Sequence, residues 1–217
     1  MSKTYAIIFL LLKKVISEWR NTIMSKIIAI ANQKGGVGKT TTAVNLSSCV
    51  AYRNKKVLLI DLDPQGNATT GMGFSKRLLE KSIYDVLING VDIKETILPT
   101  KQETLFLCPS SMKLAGAEVE LVSIMSRESR LKAALQEIVK DYDYIFIDCP
   151  PSLGLITLNS LTAADTVLVP IQCEYYALEG LTQLMETVRL VQKHLNNSLD
   201  VEGVVLTMFD SRTNLSI

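Results

Sequence analysis

A chain of 217 residues has the length of one domain and can bury one substantial core. Hydrophobic residues make up 47% and charged residues 21%, which excludes a disordered or low-complexity chain. A formal net charge of +1 supplies no global pull toward nucleic acid or membrane, so any such contact must come from a local patch.

The first residues, Met1–Ile23, do not resemble the rest. The apolar run Ala6–Leu12 is too short to span a bilayer, and Lys13 and Lys14 stand where a signal peptide would carry small residues for cleavage. Val15–Ile23, with the single tryptophan Trp19, is amphipathic, and a membrane-surface helix is one reading. Met24-Ser25-Lys26 reads as a start directly before the first strand. Residues 1–23 are therefore expected to be an upstream extension and residues 24–217 the domain.

From Lys26 onward, strand and helix patterns alternate. The apolar run Lys26–Ala31 leads into Lys34-Gly35-Gly36-Val37-Gly38-Lys39-Thr40-Thr41, and an amphipathic run follows from Thr42 to Tyr52. That order is strand, glycine loop, helix. Glycines let successive amide N–H groups turn inward against a phosphate, and the positive end of the following helix adds to the attraction. Lys39 can then reach β- and γ-phosphates, and the Thr40 hydroxyl can ligate Mg²⁺. The strict P-loop pattern needs glycine at position 33, where this chain has Gln33; instead it carries a second lysine, Lys34, at the start of the loop.

Val57–Leu62 is a continuous apolar run, as expected of a strand buried on both faces of a parallel sheet. It ends in Asp61-Leu62-Asp63-Pro64-Gln65-Gly66-Asn67, a loop expected at the same carboxyl edge as the glycine loop. Gly71–Thr104 is less regular, with short helical stretches at Ile83–Leu87 and Ile93–Ile97. Leu105–Pro109 reads as a strand, and Ala115–Ser123 and Arg130–Lys140 are helical by spacing. Tyr144–Asp148 is an apolar strand ending in an acid and broken by Cys149-Pro150-Pro151. A helix over Leu155–Ala163, a strand over Thr166–Ile171, a long helix over Ala177–Leu195 and a strand over Val201–Met208 complete the pattern. The expectation is α/β: a doubly wound, mostly parallel sheet with helices on both faces.

Three acids stand at strand ends: Asp61, Asp63 and Asp148. Asp148, after four apolar or aromatic residues, has the Walker B form and would hold Mg²⁺ through water. Two lysines, Mg²⁺ and one water-orienting carboxylate suffice for phosphoryl transfer, which is mostly positioning and charge neutralisation. The only histidine, His194, falls near a helix end beside Lys193, where a solvated position is expected, so neither a histidine base nor a His-ligated metal is expected. Cys49, Cys108, Cys149 and Cys173 form no CxxC pair, and buried free thiols are expected rather than disulfides or zinc.

Lys34–Thr41, Asp61–Asn67 and Tyr144–Pro151 resemble the ParA/Soj family of chromosome- and plasmid-partitioning ATPases. The resemblance extends to Leu114–Glu118, Gln172–Gly180 and Thr207–Asn214, and covers essentially everything from Met24 onward. It identifies Lys34–Thr41 as a deviant Walker A loop and implies an ATP-sandwich homodimer, cytoplasmic and nucleoid-associated, that binds DNA without sequence preference. It also implies ATP hydrolysis stimulated by a ParB/Spo0J-type partner. By matching positions, Lys34 would reach the nucleotide of the partner subunit, Lys39 the phosphates, and Thr40 the Mg²⁺. Asp61 and Asp148 would hold the waters of the metal, Asp63 would orient the hydrolytic water, and Arg212 would contact DNA. The family continues past the position of Ile217, which implies a C-terminally incomplete domain. Two rivals remain: a MinD-like ATPase at the membrane or division site, whose C-terminal amphipathic helix has no counterpart here, and a non-enzymatic truncated remnant. A nitrogenase-type iron protein would need bridging cysteines, and Cys149 is no match in placement.

Overall fold

The computed structural model describes residues 25–173 and 177–209. The extension Met1–Ile23 and the DNA-contact candidate Arg212 lie outside the described residues. Seven strands form one sheet: β1 (Lys26–Ile30), β2 (Val57–Asp61), β3 (Leu98–Pro99), β4 (Leu105–Cys108), β5 (Tyr144–Asp148), β6 (Thr166–Gln172) and β7 (Asp200–Thr207). Their spatial order is β3-β4-β2-β5-β1-β6-β7, and every neighbouring pair is parallel except β3 with β4. The helices are α1 (Lys39–Ala51), α2 (Asn67–Gly71), α3 (Ile83–Leu87), α4 (Leu114–Leu121), α5 (Arg130–Gln136), α6 (Leu155–Ala163) and α7 (Ala177–His194).

The unbroken apolar runs of β2 and β5 follow from burial on both faces, since every residue of both strands is buried. Alternate residues serve two cores. Ile28, Ile30, Leu59 and Phe146 pack with Ala43, Val50 and Ala51 of α1 on one face. Ala29, Leu58, Ile60, Ile145 and Ile147 pack with α3 to α7 on the other. This is the doubly wound architecture that the sequence leads one to expect.

Chain direction locates the crevice. From β1 the chain crosses over α1 to β2, beyond β5; from β5 it crosses over α6, on the opposite face, to β6, beyond β1. The loops after the adjacent strands β1 and β5 therefore diverge, and they open a cleft at the carboxyl edge of the sheet.

Several local expectations are adjusted. β3 is two residues long and includes Pro99, too short to carry an alternation. The helix expected over Arg130–Lys140 ends at Gln136, and a 3-10 turn follows at Val139–Asp141. Its apolar spacing is nevertheless satisfied, because Leu131, Leu135 and Ile138 are all buried. All four cysteines are free, but burial holds only for Cys108 and Cys149; Cys173 is half-buried and Cys49 exposed. Cys49 lies off the buried stripe of α1, formed by Ala43, Ser47, Val50 and Ala51, so an apolar neighbourhood in sequence does not bury it. His194 is exposed, as expected. β7 is an edge strand; its Val204 and Leu206 are 37% and 45% exposed, and Met208, just after it, 58%. No helix among the described residues is long and apolar enough to cross a membrane.

Candidate functional site: a glycine loop facing two buried carboxylates

The loop after β1 occupies the cleft. Gly36 (φ 74°) and Gly38 (φ 88°) take left-handed backbone that a side chain would strain, and Gly38 forms the N-cap of α1. No side chain caps α1, which leaves its first-turn N–H groups for a ligand. A Cβ at Gly35 or Gly36 would meet nothing within 4 Å, so the space beside this stretch of main chain is open.

Lys39 is the buried cation of the site, 7% exposed. Its Nζ donates to the Lys34 carbonyl at 2.9 Å. Burial lowers its pKa from the usual lysine value, against the attraction of Asp148, Cys149 and Asp63. Lys34 is half-buried, and Thr41 is exposed on the first turn of α1.

Register brings the acids to the loop. Asp148 pairs with Ile30 on one side and with Asp61 on the other, so the ends of β1, β5 and β2 are level. Both Asp148 oxygens are buried without a hydrogen-bond partner among the described residues. Burial, and then the Asp61 carboxylate, push its pKa up to about 8; the Thr40 hydroxyl beside it and the Lys39 ammonium act in the opposite sense.

Asp61 is equally buried but engaged. One oxygen accepts from the Thr69 N–H and hydroxyl, both at 2.7 Å, and the other from the Asp63 N–H at 3.2 Å. Burial raises its pKa to about 6 in spite of these bonds. Asp61 thus caps the first turn of α2 and shapes the loop that carries Asp63. Asp63 accepts the Gln65 N–H at 2.9 Å, and its carbonyl accepts the Ser110 hydroxyl at 2.7 Å.

Among the described residues, no cluster of three or more His, Cys, Asp or Glu side chains could hold a metal ion unaided. An Asp148 carboxylate with two open oxygens and a threonine hydroxyl are, however, hard oxygen donors suited to Mg²⁺ that draws its other ligands from phosphate and water. The residues present fit such an ion.

The structure therefore brings together Lys34–Thr41, Asp61, Asp63 and Asp148, and leaves Arg212 outside the described residues. It adds four residues to which sequence reading gave no role. Asn32 accepts the Lys34 N–H at 3.0 Å, a two-residue spacing that does leave a local signal. Thr69 and Ser110 support the Asp63 loop. Thr207, on β7, donates its hydroxyl to the Val37 carbonyl at 2.8 Å from 170 residues away, and its Cγ2 lies 3.4 Å from where a Cβ of Gly38 would stand. No sequence pattern marks so distant a partner.

The AAA domain family matches residues 25–201. Soj, the sporulation initiation inhibitor protein of Bacillus subtilis (strain 168), is 62% identical over 194 residues, covering 89% of this chain and 77% of that protein. The chromosome partitioning protein ParA of Myxococcus xanthus (strain DK1622) is 54% identical over 193 residues, covering 89% of this chain and 68% of that protein. A crystal structure of cobyrinic acid a,c-diamide synthase from Mycobacterium smegmatis, with bound ADP and magnesium, superposes with a TM-score of 0.85 at 43% identity, covering 89% of this chain and 78% of that one. A mostly parallel sheet with a glycine loop at its switch point, and identity of this extent to partitioning proteins, lead to one conclusion: the chain belongs to the ParA/Soj family of chromosome-partitioning P-loop ATPases.

Proposed function

We propose that this chain binds ATP with Mg²⁺ in the glycine loop, hydrolyses it, and works as an ATP-dependent homodimer that segregates DNA. It would bind DNA without sequence preference and answer to a ParB/Spo0J-type partner protein. The observation that carries the reading is the pairing of a buried lysine with a buried, unpartnered carboxylate beside an open glycine loop. Each group alone is costly to bury, and an anion–cation pair such as magnesium nucleotide compensates both.

Lys39 supplies positive charge to the phosphates, together with the N–H groups at the start of α1. Thr40 and Asp148 would hold Mg²⁺, with Asp61 behind them in the same carboxylate layer. Mg²⁺ bound with ATP offsets the negative charge of the phosphates during transfer. Asp63, held by its turn at Gln65 and by Ser110, would orient the attacking water. Lys34 would serve the nucleotide of a second subunit.

The M. smegmatis structure carries the name of a diamide synthase, and such chemistry could use the same loop. Its identity of 43%, against 62% for Soj, favours partitioning.

Hydrolysis and size measurements test the reading. Asp63→Ala is expected to keep Mg-ATP binding and lose turnover by about a hundredfold or more, the usual contribution of a positioned base. Unchanged turnover removes Asp63 from the mechanism. With a slowly hydrolysed ATP analogue the parent chain is expected to dimerise, and Lys34→Ala to stay monomeric while binding nucleotide nearly as well. Normal dimers of Lys34→Ala would exclude the role across subunits.

A further inference from the structure

The entry to the glycine loop is set by one buried side chain. In the β1–β6 ladder the Ala31 N–H donates to the Leu168 carbonyl at 3.2 Å. If the parallel ladder continued, the next β6 carbonyl, that of Pro170, would accept from the N–H of residue 33. The chain turns away from the sheet at this point, and the Asn32 side chain takes over as donor: its Nδ2 bonds the Pro170 carbonyl at 2.7 Å. Its Oδ1 accepts the Lys34 N–H at 3.0 Å, which closes a turn into the loop. Only this orientation of the amide serves both neighbours, one an acceptor and the other a donor.

The chain of bonds goes one step further, because the Lys34 carbonyl accepts from the Lys39 ammonium at 2.9 Å. Asn32 is 3% exposed, and Gly180 of α7 lies against it, such that a Cβ there would be 3.3 Å from its Oδ1 and 3.8 Å from the Lys34 Cβ. The bond to Pro170 is thereby buried and the bond to the Lys34 N–H partly so, and a side chain at position 180 would crowd the amide.

We infer that Asn32 is a positioning residue that ties the glycine loop to β6, fixing the main chain of Lys34 and, through its carbonyl, the ammonium of Lys39. It acts through these two lysines and touches no phosphate itself. The inference rests on the reading that the loop binds a nucleoside triphosphate.

Two variants test it, Asn32→Ala and Asn32→Ser, the second because a serine hydroxyl can still accept the Lys34 N–H, though more weakly. In the nucleotide-free chain, deuterium exchange at the Lys34 amide is expected to quicken about tenfold or more in Asn32→Ala and less in Asn32→Ser. Mg-ATP affinity is expected to fall about ten- to a hundredfold in Asn32→Ala, with partial recovery in Asn32→Ser and a cooperative melt retained in both. Unchanged exchange and affinity in Asn32→Ala would overturn this inference and leave the nucleotide reading standing. Loss of affinity that only tracks loss of the cooperative melt, without recovery in Asn32→Ser, would overturn it in favour of a folding role. If the parent chain itself fails to bind Mg-ATP, both readings fall.

Discussion

Lys39→Ala is expected to remove most nucleotide affinity rather than only slow turnover. The ammonium is already desolvated in the protein, bonded to the Lys34 carbonyl, and held below the ordinary lysine pKa by burial. A phosphate that meets it therefore gains a charge-assisted bond without paying again to strip water from the lysine. Truncating one partner of such a pair costs about 2–4 kcal/mol, which corresponds to about a thirtyfold to thousandfold weaker affinity. Titration of the nucleotide-free protein with Mg-ATP measures this directly. A variant that binds as tightly as the parent would mean that the glycine loop holds no phosphate.

Asp148→Asn is expected to have opposite effects on stability and on metal response. The carboxylate is pushed up to about 8 by burial first and by Asp61 second, with Asp63 adding to the repulsion and Thr40 and Lys39 opposing it. In the unfolded chain an aspartate titrates near 3.9. Its favourable contribution to folding is therefore fully present below about pH 4 and is lost as pH rises toward the folded value. Asparagine has the same shape and never ionises, so without Mg²⁺ the variant should gain on the parent progressively from pH 4 to pH 8. At pH 8 the gain is expected at about 1–3 kcal/mol, below the full linkage value because water entry and relaxation reduce it. With Mg-ATP the order should reverse, since an amide cannot balance a divalent cation. Thermal melts at pH 5 and pH 8, with and without Mg-ATP, check both halves. A variant less stable than the parent at pH 8 without metal would show that the Asp148 carboxylate is not a source of strain.

The same two residues mark how far the sequence could be read. Lys39 and Asp148 stand in patterns whose physics is local: glycines between a strand and a helix, and an acid closing an apolar run. The apolar runs also announced the parallel sheet, because a strand covered on both faces loses its polar alternation. Irregular chain was less legible. The two residues of β3, the early end of α5 at Gln136 and the exposure of Cys49 depend on which neighbours happen to pack nearby.

By itself the sequence determined the strand–loop–helix order around Lys34–Thr41, the placement of Asp61 and Asp148 at strand ends with Asp63 in the loop after the first, and hence the kind of fold and ligand. Backbone sterics and side-chain periodicity act over a few residues, so they are written into the chain locally. Only the tertiary structure decided that the oxygens of Asp61 are taken by Thr69 and Asp63 while those of Asp148 are open. It alone decided that Asn32 reaches Pro170 across 138 residues and that Thr207 reaches Val37 across 170. A buried polar atom finds its partner through strand order and register, and these are set when the whole sheet closes around its two cores.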